Sequence, residues 1–192
     1  MQIINQVCDE VADNYKLICL SGLLVHLKDF AQDTNTHQGK SVTPKEIKVE
    51  VAYFILKAYV TSSEAVMMIF ANQGYKILSQ FLNASKFQDN KYLIFMAIDV
   101  FSLHFDQSTS CQLLPHSDIA KIFSRENVAI KLAKILNKLL ESLQTQGDGS
   151  SNETSEEMLN ALKYIDKIFD LLKHLQNGNE QLKLEFCSKQ LI

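Results

Sequence analysis

Apolar side chains recur along most of this chain at intervals of three and four residues, the period of a helix that buries one face. This period predicts an all-α fold of about ten helices. The predicted helices cover 3–20, 23–31, 44–60, 64–72, 75–84, 90–105, 116–125, 128–143 and 156–175. On the predicted helix 3–20, the apolar stripe expected to be buried consists of Ile3, Val7, Val11, Leu17 and Leu20. On 44–60 it consists of Val49, Ala52, Tyr53, Leu56 and either Tyr59 or Val60, and on 128–143 of Leu132, Ile135, Leu136 and Leu139.

A short pattern recurs between these helices: the apolar end of one helix, a polar pair, and then a junction residue that opens the next helix. The junction residues are Gly22, Gly74, Asn127 and Gln190. Glycine suits a sharp turn because it tolerates a positive φ and has no Cβ to meet the neighbouring backbone; asparagine is the next best choice. Such repetition predicts stacked helical units, none of which buries its apolar face alone, and it favours a binding platform over an enzyme.

The predicted repeats are joined by polar loops into one domain covering 1–192. Its four units are about 1–32, 43–85, 90–143 and 156–192, and the loops are 33–42 and 144–155. The last unit stops before its third helix, so we expect the chain to be a fragment of a longer protein. The incomplete end around Phe186 and Leu191 would expose apolar side chains, which favours a homodimer or cover by a partner.

Composition narrows the classes of partner. The formal net charge is −3 and Arg125 is the only arginine among 19 basic residues, which argues against nucleic-acid binding. No apolar run is long enough to predict a membrane span. The four cysteines form no CxxC pair, and three of them fall within apolar helical patterns. We therefore expect free buried thiols in a reducing, cytoplasmic compartment.

The sequence predicts no catalytic residue, no metal site and no cofactor. Val-Ala-Ile-Lys at 128–131 copies a kinase strand motif, but it lies in a helical pattern and the other kinase motifs are missing. Cys111 and His116 are the closest Cys/His pair, yet no motif supplies an orienting carboxylate. The five histidines show no metal-ligand spacing.

Three runs carry a resemblance to a known family: VAYFILKAYVTSSEAVMMIFANQGYKILSQFL (51–82), YLIFMAIDVF (92–101) and SDIAKIFSRENVAIKLAKILNKL (117–139). They resemble the armadillo-repeat region of plant MAP kinase kinase kinase epsilon and of the fungal septation-initiation and mitotic-exit kinases. In that family the repeats lie C-terminal to the catalytic domain. The resemblance implies an armadillo-like solenoid, wound as a right-handed superhelix, that forms a non-catalytic regulatory region of a serine/threonine kinase.

The resemblance also implies partners: a GTP-bound Ras-like small GTPase and a scaffold protein at the spindle pole body. In armadillo folds the third helices present polar side chains to a groove. The candidates here are Lys76, Gln80, Asn83, Lys131, Lys134 and Lys138. The last three lysines have i, i+3, i+7 spacing and share one helical face, which either meets an acidic partner or is simply solvated. The alternative function is a generic armadillo adaptor that binds an extended peptide.

Overall fold

The fold is seen in a computed structural model that describes residues 1–23, 26, 45–61, 65, 69, 74–105, 121, 123–146 and 153–176. The helices are α1 (Gln2–Glu10), α2 (Asp13–Leu20), α3 (Lys45–Thr61), α4 (Gly74–Phe81), a 3-10 helix (Ala84–Lys86), α5 (Phe87–Phe105), α6 (Val128–Gln146) and α7 (Glu153–Gln176). Over these ranges all regular structure is helical, which confirms the predicted all-α class there. In the described part, no helix is long and apolar enough to cross a membrane.

The chain forms two compact units. The first contains Met1–Phe81 and Asn90–Pro115, and the second contains Leu82–Asp89 and His116–Ile192. Helix α5 is kinked at Asn90, where φ is −123° and ψ is 21°, and this kink coincides with the boundary between the units. The division into four repeats stays a prediction.

The prediction of a single helix over 3–20 is wrong. The chain leaves the helical conformation at Val11, where φ is −137° and ψ is 108°. Side chains on either side of the break bond across it. The amide of Asn14 donates to the carbonyl of Val7 at 3.0 Å, and the hydroxyl of Tyr15 donates to Asp9 at 2.7 Å. Two short helices therefore replace one long one.

The apolar stripe predicted for this segment is also wrong, because its members are exposed by 46% to 77%: Ile3, Val7, Val11, Leu17 and Leu20. The residues buried in their place are Asn5, Cys8, Tyr15 and Cys19. Both helices pack on α3, where the rings of Tyr15 and Phe54 lie 5.4 Å apart and the amide of Asn5 donates to Glu50. These contacts select the face that is buried, although the apolar period favours another.

The prediction of the buried residues of helix α3 is also partly wrong. Its buried residues are Val51, Ala52, Phe54, Ile55, Ala58 and Tyr59. The predicted Ala52 and Tyr59 are among them, but Val49, Tyr53 and Leu56 are only half-buried. Since most residues of this helix are apolar, several faces satisfied the periodicity equally well.

The junction residues do not share one conformation. Gly22 has a φ of +80° and Asn127 a φ of +53°, which confirms the expected left-handed turns at both positions. Gly74 has no positive φ, so that part of the prediction is wrong. Glycine is needed at position 74 because a Cβ there would strike the side chain of Ile69 and lie 2.8 Å from the carbonyl oxygen of Ile69. Gln190 lies outside the described residues.

The second unit contains the helix pair α6 and α7, which pack on each other. The predicted stripe of α6 is confirmed, because Leu132, Ile135, Leu136 and Leu139 are all buried. Helix α6 continues to Gln146 and α7 already begins at Glu153, so the loop predicted over 144–155 is wrong at both ends. The residues between the two helices lie outside the described ranges.

Two of the four cysteines can be checked. Cys8 and Cys19 are free and completely buried, as predicted. Burial raises the pKa of the Cys19 thiol to about 12, and the neighbouring Cys8 thiol adds to this shift. Burial also raises the pKa of Cys8, with a contribution from Asp9. Cys111 and Cys187 lie outside the described residues.

Asp9 should make the first unit sensitive to acid. The hydroxyls of Tyr15 and Tyr53 donate to its two oxygens at 2.7 and 3.0 Å, and these bonds lower the pKa of Asp9 below its usual 3.8. A lowered folded-state pKa stabilises the fold above pH 3.8, and this stabilisation disappears as the pH falls through the folded-state value. We expect Asp9→Asn to remove this part of the acid dependence.

The measurement is urea unfolding between about pH 5 and pH 2 for the wild type, Asp9→Asn and the control Asp13→Asn, which has the same charge change. The control should lose stability in acid as the wild type does. An unchanged acid slope in Asp9→Asn would contradict the role given to the two tyrosine bonds.

Candidate interaction surface

Helix α6 displays the three lysines that the sequence singled out. Opposite its buried leucines and isoleucine, Lys134 and Lys138 are exposed and Lys131 is half-buried. We call these three residues the lysine face. The helix begins directly after the left-handed turn at Asn127, so this turn sets the direction in which the face points.

The lysines differ in their electrostatic environment. Burial lowers the pKa of Lys131, although nearby Glu126 opposes this shift. Lys138 pairs with Glu141 one turn later at 2.6 Å, and both side chains are largely exposed. Exposed pairs of this kind contribute roughly 0.2–1 kcal/mol, so a carboxylate of a partner can displace Glu141 at little cost. Lys134 and Lys138 are therefore the main cationic contacts that this face offers.

A pocket of about 450 Å³ lies at the end of the lysine face. It is lined by residues 84–89 together with Lys138, Glu141 and Ser142. Asn83 shapes its rim by capping the 3-10 helix: its Oδ1 accepts from the backbone N–H and the hydroxyl of Ser85 at 3.1 and 2.7 Å. Asn83 thus has a structural task, and the exposed Lys86 is a cation that sequence reasoning missed. The sequence signal for the cap made by Asn83 was its Asn-x-Ser spacing, which is typical of an Asx turn.

The remaining two candidates belong to the first unit. Lys76 and Gln80 lie on α4 and are both half-buried. The Oε1 atom of Gln80 is buried without a hydrogen-bond partner among the described residues. The other four candidates, Asn83 and the lysine face, belong to the second unit. A common groove formed by all six stays a prediction.

The tetrapeptide Val128–Lys131 forms the first turn of α6, whereas the kinase motif it copies lies on a strand. Its similarity to that motif is therefore coincidental. Within the described ranges, no three His, Cys, Asp or Glu side chains are grouped so that they could hold a metal ion.

Comparison with known proteins relates the chain to kinases. It is 25% identical to MAP3K epsilon protein kinase 1 of Brassica napus over 181 residues, which are 94% of this chain and 13% of that kinase. It is 24% identical to cytokinesis protein sepH of Aspergillus niger over 141 residues, which are 73% of this chain and 10% of that protein. It is 25% identical to MAP3K epsilon protein kinase 1 of Arabidopsis thaliana over 142 residues, 74% of this chain and 10% of that kinase. No family model and no solved structure matches it.

The chain thus spans about a tenth of the length of the curated relatives it matches. The similarity therefore covers only a small part of each relative, and no family model, that of the protein-kinase domain included, matches this segment.

Proposed function

We propose that this chain is a regulatory interaction region of a serine/threonine kinase that acts in septation or mitotic exit. The observation that carries the proposal is the pattern of similarity. Between 73% and 94% of this chain matches a tenth or so of much longer proteins, whose names include MAP3K epsilon kinases and a cytokinesis protein. The resemblance implies a position C-terminal to the catalytic domain, and binding or regulation is the role we propose for a segment there.

The proposed architecture is an armadillo-like solenoid. Left-handed residues at Gly22 and Asn127 are each followed directly by a helical residue, which supports a repeated turn between helices. The different geometry at Gly74 is compatible with this architecture, because close packing gives glycine an independent reason there.

The proposed partners are a GTP-bound Ras-like small GTPase and a scaffold protein at the spindle pole body, which would bring the kinase from the cytoplasm to that site. Small GTPases often have acidic residues around their switch segments, and the lysine face is a cationic surface on a rigid helix. Electrostatic complementarity of this kind mainly accelerates association, and its effect falls with salt.

The test uses the double variant Lys134→Glu/Lys138→Glu, which spares the half-buried Lys131. Its matched control is Lys163→Glu/Lys173→Glu, with the same charge change at exposed positions of α7. Binding is measured by biolayer interferometry against a panel of Ras-like GTPases loaded with GDP or with a non-hydrolysable GTP analogue. We expect affinity for the GTP form to fall at least about tenfold in the first variant, mostly through slower association.

The control should bind as the wild type does. The difference in affinity between the wild type and Lys134→Glu/Lys138→Glu should shrink at high salt. Equal binding by both folded variants would show that the contact lies elsewhere. Equal binding of the GDP and GTP forms would contradict the effector role itself.

A further inference from the structure

A second pocket, of about 550 Å³, lies in the first unit between α1 and α3 and beside Tyr92 of α5. Its lining contains three carboxylates, two aromatic rings and one buried amide, from Asp9, Glu10, Glu50, Tyr53, Tyr92 and Asn5, together with Gln2, Gln6 and Val49. We call it the acidic pocket. It has the size of a small-ligand site and opens to solvent.

Asn5 is the most constrained residue of the acidic pocket. It is 4% exposed, and its Nδ2 donates to the backbone carbonyl of Glu50 at 3.0 Å and to the carboxylate of Glu50. Two oxygen acceptors on the same side fix the orientation of the amide, because rotating it would place oxygen against oxygen. The Oδ1 atom is consequently buried with no partner among the described residues. A buried polar atom without a partner is costly, so a donor that reached this acceptor would stabilise it.

The charge of the acidic pocket is negative. Asp9 is held ionised by the two tyrosine hydroxyls that donate to it, and Glu10 and Glu50 contribute two further carboxylates. The ammonium of Lys57 lies 5.4 Å from the centre of the Tyr53 ring and offsets part of this charge. The Tyr53 ring thus already has a cation beside it, which leaves the Tyr92 ring for a second one. The ring of Tyr92 is 62% exposed and is open to an incoming group.

We propose that the acidic pocket binds the guanidinium group of an arginine side chain on a partner protein. A guanidinium has five N–H donors in one plane and stacks on aromatic rings, so it can serve separated acceptors and the Tyr92 ring together. A lysine ammonium is a compact charge that cannot span these acceptors. A divalent cation is disfavoured because the described carboxylates do not converge on a metal position.

This inference goes beyond the proposed function and does not depend on it. The lysine face would attract acidic residues, whereas the acidic pocket takes a basic side chain, and the two belong to different units. Loss of GTPase binding and loss of arginine binding are therefore separate results.

The experiment is a titration of the isotope-labelled chain, followed by two-dimensional NMR, with three blocked tripeptides: acetyl-Gly-Arg-Gly-amide and its lysine and citrulline analogues. Citrulline keeps the shape of arginine and removes the charge. We expect saturable shifts at the Asn5 side-chain amide and in α1 with the arginine peptide. The lysine peptide should bind at least about fivefold more weakly, and the citrulline peptide more weakly still.

The double variant Glu10→Gln/Tyr92→Ala should weaken binding of the arginine peptide at least about tenfold. Its matched control, Glu156→Gln/Tyr164→Ala, makes the same chemical changes in the second unit and should leave binding unchanged. Equal affinity for arginine and citrulline, lysine binding as tight as arginine, or shifts confined to other regions would each overturn the proposal. If the double variant does not fold, the single Glu10→Gln variant and the citrulline comparison decide.

Discussion

Phe54→Ala is expected to destabilise the first unit by about 3–5 kcal/mol. The Phe54 side chain is completely buried on α3 and its ring lies 5.4 Å from that of Tyr15, so it fixes α2 on α3. Truncation removes this contact and leaves a cavity that the surrounding helices fill only in part. Urea unfolding followed by circular dichroism measures the loss.

The matched comparison is Leu17→Ala on α2. Leu17 is 61% exposed, and its truncation should change stability by no more than about 0.5 kcal/mol. The apolar period of the sequence predicts the opposite, with Leu17 in the core. A large loss for Leu17→Ala would restore the predicted stripe and contradict the arrangement described for α1 to α3.

Gly74→Val is expected to cost about 2–3 kcal/mol. Its Cβ would meet the side chain of Ile69 and lie 2.8 Å from the carbonyl oxygen of Ile69. Backbone cannot retreat as a flexible side chain does, so the start of α4 has to shift away from Ile69. The change in the free energy of unfolding, again from urea titration, tests this expectation.

Asparagine substitutions separate the two reasons for which glycine is needed. Gly22 has a φ of +80°, and no atom of the described residues lies within 4 Å of an added Cβ, so Gly22→Asn should cost only about 1 kcal/mol or less. Gly74→Asn should be about as harmful as Gly74→Val, because the collision begins at the Cβ. Equal effects of asparagine at both positions would show that the packing against Ile69 is not limiting.

Helix α6 could be predicted from the sequence because its apolar residues occupy one face and its lysines another. Leu132 and Ile135 are buried as expected, and Lys134 is exposed. An amphipathic helix with one apolar face has a single way to pack, so its period is sufficient evidence.

The first two helices could not be predicted in the same way. No glycine or proline marks the break at Val11, and the buried face uses Asn5 and two cysteines where the apolar period offered other residues. Local side-chain bonds across Val11 accompany the break, and contacts with α3, which is distant in the sequence, select the buried face. Tertiary contacts of this kind override a local period.

The lysine face and the acidic pocket also differ in how far they could be predicted from the sequence. The lysine face follows from spacing within one helix, so its residues were found, although the pairing of Lys138 with Glu141 was not anticipated. The acidic pocket combines Glu10, Glu50 and Tyr92 from three helices. Residues so far apart in the chain give no local signal.

The covered thiols give the first unit a built-in reporter of its opening. The thiolate is the form that reacts with thiol reagents, and Cys8 and Cys19 are both fully covered with raised pKa values. Once Cys111 and Cys187 are replaced by serine, the labelling rate measures how often α1 and α2 separate from α3. In a chain without tryptophan, this rate can replace the usual fluorescence signal and follow local unfolding under native conditions.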